Sequence, residues 1–115
     1  MCDRVNVITL RQANPDYVIL DLCGFISAKH ERAFEVIANT LRSRSEKKIV
    51  LNFNEVKGID GTGLKQLLIF CTLMRKLNRK LAAYGVNTDV RQVFQLTRME
   101  NLLRTCENEY QAMTG

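Results

Sequence analysis

The chain has no tryptophan, one proline and one histidine among its 115 residues. Each scarcity removes a class of function. With His30 as the single histidine, no histidine-rich metal set exists, and a catalytic Cys–His pair has nothing in the sequence to orient its base. The four cysteines, Cys2, Cys23, Cys71 and Cys106, are scattered and form no CxxC pair, so redox and metal spacings are missing as well. Cys23 and Cys71 stand in apolar contexts and are expected to pack as small reduced hydrophobes. Aromatics are few, three Tyr and five Phe, which leaves a nucleic-acid partner without interleaved rings or a recognisable motif. No apolar run reaches membrane-spanning length. Met1-Cys2-Asp3-Arg4 lacks the basic-then-apolar order of an export signal. These absences predict a cytoplasmic chain with no membrane insertion, no metal, no cofactor and no catalytic residues, and so not an enzyme.

What is there fits one domain over residues 1–115, with an apolar fraction of 46% that can supply one core. The formal charge is +5. The cations gather in Arg42, Arg44, Lys47 and Lys48 and again in Arg75, Lys76, Arg79 and Lys80. Both runs fall where helix C-termini are expected, and cations there complement the helix dipole while remaining solvated.

The elements read in order as strand, strand, helix, then alternating strands and helices. Val5–Leu10 and Tyr17–Leu22 are expected strands, joined through the turn chemistry of Asn14-Pro15-Asp16. Ser27 suits the N-cap of a helix from about Ala28 to Arg42, whose Ala33, Phe34, Ile37, Ala38 and Leu41 repeat at helical spacing. Ile49–Phe53 is the most apolar strand and is placed centrally. A polar loop is expected to follow it up to Asp60. The next helix runs to about Asn78, with Leu64, Leu67, Leu68, Phe70, Cys71, Met74 and Leu77 on a broad apolar arc. Ile69 falls on its solvent side and Leu73 at the margin. Lys80–Tyr84 is a further strand, Asn87-Thr88-Asp89 opens a third helix, and Leu102–Cys106 and Glu107–Met113 close the chain as a short strand and helix. Strand–helix alternation implies parallel strands, and the opening hairpin adds an antiparallel one. The expected fold is α/β, a mixed and mostly parallel sheet of four to five strands with helices packed against it.

The stretch Asp60-Gly61-Thr62-Gly63 carries the functional interest. A buried strand leads into a turn that opens a helix. Asp60 suits the N-cap, and the two glycines let a partner approach the backbone closely. The free N–H groups there also favour negative charge. A well-capped turn that binds nothing is the competing reading. The stretch is not a phosphate-binding loop of the Walker type, because Leu64 stands where the lysine must be.

The element order, Gly24 before the first helix, LNFNEVKGIDGTGL and the later VNTDVRQVFQLTRMENLL together resemble the STAS domain, the sulfate transporter and anti-sigma factor antagonist fold. The resemblance covers nearly the whole chain. It implies a stand-alone anti-sigma factor antagonist, a bacterial cytoplasmic protein that binds a serine-kinase anti-sigma factor and regulates transcription. In that family the turn reads Asp-Ser-Ser/Thr-Gly, and the first hydroxyl after Asp takes a phosphate that prevents docking. Here Asp60 and Gly63 match, Gly61 stands at the phosphorylated position without a hydroxyl, and Thr62 matches the second, normally unmodified position. Ser27 stands about where switching members carry an acidic residue.

The resemblance therefore implies a non-catalytic interaction module without the standard phosphorylation switch. Its partner-binding residues would be Asp60, Gly61, Thr62, Gly63, Ser27, Ile69 and Leu73. No phosphate can be placed at Gly61. Docking is then constitutive, or Thr62 takes over the role; the first is favoured, because a shift of one helical residue turns the side chain by about a hundred degrees. Two other readings stay open: a component of a larger signalling or lipid-transport assembly, and a small-ligand or nucleotide sensor with phosphate at the helix N-terminus.

Overall fold

The computed structural model describes residues 8–114, apart from the side chains of residues 13 and 14. Met1-Cys2-Asp3-Arg4 and the expected strand residues Val5 and Val7 lie outside the described residues. Strand β1 (Ile8–Asn14) and strand β2 (Tyr17–Ile26) form the expected antiparallel hairpin around Pro15 and Asp16. Strands β3 (Lys48–Ile59), β4 (Lys80–Tyr84) and β5 (Arg104–Cys106) follow as parallel neighbours. The sheet order is β1-β2-β3-β4-β5, which puts the most apolar strand at the centre. Helices α1 (Glu31–Arg42), α2 (Gly61–Lys76), α3 (Thr88–Thr97) and α4 (Glu109–Thr114) complete the domain.

Alternation along the strands divides the core into two faces. Val18, Leu20 and Leu22 of β2, Ile49, Leu51 and Phe53 of β3, and Leu81 and Ala83 of β4 meet α1, α2 and α3 on one face. Phe34 packs on Phe70 with ring centroids 5.5 Å apart, and Phe53 meets Phe94 edge-on at 5.7 Å. Ile19, Val50, Ala82, Tyr84 and Cys106 point the other way, against Ala112 of α4. Short α4 covers only part of that face. The remainder is polar: Asp21 accepts from Arg11 and, at 2.7 Å, from Asn52 Nδ2, and Tyr84 donates to Glu109 at 2.8 Å.

Three expectations need correction. The residues after Phe53 are not a polar loop, since β3 continues to Ile59. It does so because β2 also continues, pairing Cys23 with Glu55, Gly24 with Val56, Phe25 with Gly58 and Ile26 with Ile59 across two register shifts. Leu68 was placed on the buried arc of α2 but is 43% exposed. The buried stripe is the narrower Gly63, Leu67, Phe70, Cys71 and Met74. Cys71 is buried and free as expected, whereas half-buried Cys23 is disulfide-bonded and not a reduced thiol.

Candidate functional site

The carboxyl ends of β2 and β3 set the Asp60 turn. Asp60 N–H donates to the Ile26 carbonyl at 3.1 Å, tying the last residue of β2 to the start of α2. Asp60 Oδ1 accepts the Gly63 N–H at 2.7 Å, the N-cap expected from the sequence. The two glycines then differ. A Cβ on Gly63 would lie 2.1 Å from the Ile26 carbonyl oxygen and 2.9 Å from Ser27 N. Gly63 is therefore a packing residue that lets α2 start against the end of β2. A Cβ on Gly61 would meet nothing within 4 Å. Gly61 and Thr62 are both exposed, so the solvent-facing part of the turn is these two residues.

Ser27 stands beside the turn, as its closeness to Gly63 shows. It caps a single 3-10 turn, Ala28–His30, that precedes α1. Ser27 Oγ accepts from Lys29 N–H, and Ser27 N–H donates to His30 Nδ1, both at 3.3 Å. With Nδ1 accepting, the ring proton sits on Nε2, which donates to the Cys23 carbonyl at 3.3 Å. Burial, opposed by that bond to Cys23, holds the His30 pKa below its ordinary value, so the ring is a neutral strut. The sequence reading left His30 unoriented. The spacing Ser27-x-x-His30, a variant of the capping box, is the signal that points to its role.

Thr62, Gln66, Ile69 and Leu73 fall on one line along α2, since steps of four, seven and eleven residues return close to the same angle. Ile69 is 51% exposed. Together with Leu73 it lines a groove of about 240 Å³ against α1, floored by Phe34, Ala38 and Phe70. Gln66 Nε2 donates to Glu31 Oε2 at 3.1 Å and bridges the two helices between turn and groove. The structure thus brings Ser27 and Asp60–Gly63 together at one end of the sheet. Ile69 and Leu73 lie further down the same helix face. Leu68, which the sequence reading buried, adds a second exposed apolar side chain beside Ile69.

Among the described residues no group of three or more His, Cys, Asp or Glu could hold a metal. No helix there is long and apolar enough to cross a membrane.

The family model of the STAS domain matches residues 11–112. The fold is similar to that of an anti-sigma factor antagonist from Mycobacterium paratuberculosis, at 17% identity and a TM-score of 0.78, with 98% of this chain and 97% of that one covered. The Bacillus cell fate determinant SpoIIAA in its phosphorylated form is similar over 93% of this chain and 96% of its own, at 16% identity and a TM-score of 0.71. A sulfate transporter family protein from Wolinella succinogenes reaches a TM-score of 0.78 at 17% identity, over 89% of this chain and 85% of that one. No curated protein matches the chain in sequence.

Proposed function

This chain belongs to the STAS domain family, and on that premise we propose that it is a protein-docking module of the anti-sigma factor antagonist type. Its partner is a regulatory protein with a kinase-like fold. The docking surface is the Ser27 loop, the Asp60–Gly63 turn and the Ile69–Leu73 face of α2. The observation that carries this reading is the continuity of that surface. An exposed turn leads along one helix face into an apolar groove that α1 completes. An apolar centre bordered by charged Glu35 and Arg42 has the make-up of a protein contact.

Position 61 of the turn lacks the oxygen that the family's phosphoryl switch uses. Gly61 has no hydroxyl, and Thr62 is turned from it by about a hundred degrees around the helix, away from an in-line donor that reaches position 61. Docking is therefore constitutive, with control in expression or in the partner.

The test is affinity capture from the source cells with the wild-type chain and with Ile69→Glu, followed by intact-mass measurement of the captured complex after ATP addition. The expected result is a kinase-fold regulator that the variant loses, with no phosphate added to the wild-type chain. Recovery of a transport complex instead favours the assembly reading. One added phosphate, abolished by Thr62→Val, overturns constitutive docking.

A further inference from the structure

The basic runs of the sequence meet at the other end of the sheet. Lys48, Lys80 and Arg104 are the first residues of β3, β4 and β5. Parallel pairing brings these starts to one edge, with Lys48 opposite Lys80 and Ala82 opposite Arg104. Arg75 comes from the last turn of α2, and Arg79 from the segment that follows it. All five line one cleft of about 560 Å³, in which Glu100 is the single carboxylate among the described residues.

The dipole at the end of α2 supplies about half a negative charge. Lys48 aside, that dipole and Glu100 together cannot balance the four charges of Arg75, Arg79, Lys80 and Arg104. Among the described residues, Arg75, Arg79, Lys80 and Arg104 take part in no ion pair. Backbone carbonyls hold the guanidinium groups without neutralising them. Arg75 Nη1 donates to Asn101 O at 3.1 Å, Arg79 Nη2 to Arg44 O at 2.7 Å and Arg104 Nη2 to Gln111 O at 3.4 Å. Arg79 Nη1 is shielded and, among the described residues, has no acceptor. Leaving such a donor unmade costs stability, and so does crowding like charges. The crowding is felt at Lys48, whose pKa is lowered first by burial and then by Arg104 and Lys80. Stability alone does not account for a cleft arranged in this way.

We propose that this cleft binds a small soluble anion carrying two or more phosphate groups. Arg75 and Arg104 each place one terminal nitrogen on a carbonyl, which leaves the other for a phosphate oxygen, and Lys80 adds an ammonium. The volume lies in the range of small-molecule sites. Among the described residues no aromatic side chain lines the cleft, so it has no platform for stacking a base, and a nucleic-acid strand lacks its usual purchase. Recognition rests on the phosphates. The inference is independent of the docking surface: the Asp60 turn lies at the opposite end of the sheet, and the Ile69–Leu73 groove lies on another side of α2.

Calorimetric titration of the full chain with inorganic pyrophosphate at about 0.1 M salt tests it, since surface charge alone is largely screened there. The expected result is saturable one-site binding that raises the melting temperature. The double variant Lys80→Gln, Arg104→Gln, both exposed positions, should bind at least about tenfold more weakly and stay folded by circular dichroism. Arg91→Gln on α3 should bind as the wild type does. No saturable binding overturns the proposal, as does an equal loss in Arg91→Gln. It is also overturned if phosphatidylglycerol vesicles or a single-stranded oligonucleotide bind through Lys80 and Arg104 and pyrophosphate fails to displace them.

Discussion

At the scale of single residues, Gly61 and Gly63 show that identical side chains can have opposite reasons. Gly63 is required by the Ile26 carbonyl 2.1 Å from where its Cβ would lie. Gly63→Ala is expected to cost about 1–3 kcal/mol or more in denaturant unfolding, as overpacking does against backbone that cannot yield. Gly61→Ser meets open space and should stay within about 0.5 kcal/mol of wild type. The missing hydroxyl is therefore no demand of the fold. His30 makes a pH-dependent contribution. Its pKa is held below 6.5 by burial in the folded chain, so the unfolded chain takes the proton first as pH falls. Its stabilising share is complete above 6.5 and is lost as pH drops through that value toward the folded pKa. Asp21 is also lowered: burial pushes its pKa up, but the bonds from Arg11 and Asn52 outweigh it. Arg44 holds Glu46 down to about 2. Both carboxylates start from unfolded values of 4.5 or less, so they act at lower pH. Unfolding free energy measured between pH 7 and 5 should fall in wild type and stay flat in His30→Gln, and equal slopes would remove the assignment.

At the scale of elements, α2 carries two separable sets of side chains. Leu67 is fully buried in the main core, and Leu67→Ala is expected to cost about 2–5 kcal/mol. Ile69, two residues on, is half exposed; Ile69→Glu should leave the melting temperature nearly unchanged. A large loss in Ile69→Glu would make Ile69 a core residue and remove it from the docking face. This division was legible in the sequence, because helical spacing separates positions 67 and 69 by about two hundred degrees. Leu68 was not legible. Apolar character assigned it to the arc, while the helices actually packed on α2 decide how wide that arc is. The extension of β3 was hidden for a similar reason. Asn54, Glu55 and Lys57 are polar and exposed; Val56 and Gly58 are buried, and Ile59 is half-buried against the core. What holds the segment is pairing with β2, a partner about thirty residues away in sequence that local pattern cannot supply. The Asp60 cap, by contrast, is a local interaction over three residues, and the sequence announced it. The basic cleft lay beyond reach for the opposite cause: each cation run looked like an ordinary helix end, and only the parallel register adds Arg104 to them.

At the scale of the whole molecule, the two surfaces divide along α2, whose 16 residues span about 24 Å. The turn opens the helix and the cleft closes it. Leu73 and Arg75 are near in sequence but about two hundred degrees apart around the axis, so groove and cleft occupy opposite sides. An anion in the cleft stands about 20 Å from the turn, roughly two screening lengths at physiological salt. Its charge therefore contributes little at the turn, and the groove faces away from the cleft across α2. Coupling would require an element with two arrangements that both ligands bias, and α2 is fixed along its length by Leu67, Phe70, Cys71 and Met74 in the main core. Saturating pyrophosphate is thus expected to change the affinity for the captured partner by less than about twofold. The effects of Ile69→Glu and Lys80→Gln should be additive within about 0.5 kcal/mol, as for distant sites that share no partner. Surface plasmon resonance with the captured partner, with and without pyrophosphate, measures both quantities. A change above about fivefold corresponds to a coupling free energy near 1 kcal/mol. It would mean that α2 moves as a lever between its two ends, and that the anion takes the place of the phosphate that Gly61 cannot accept.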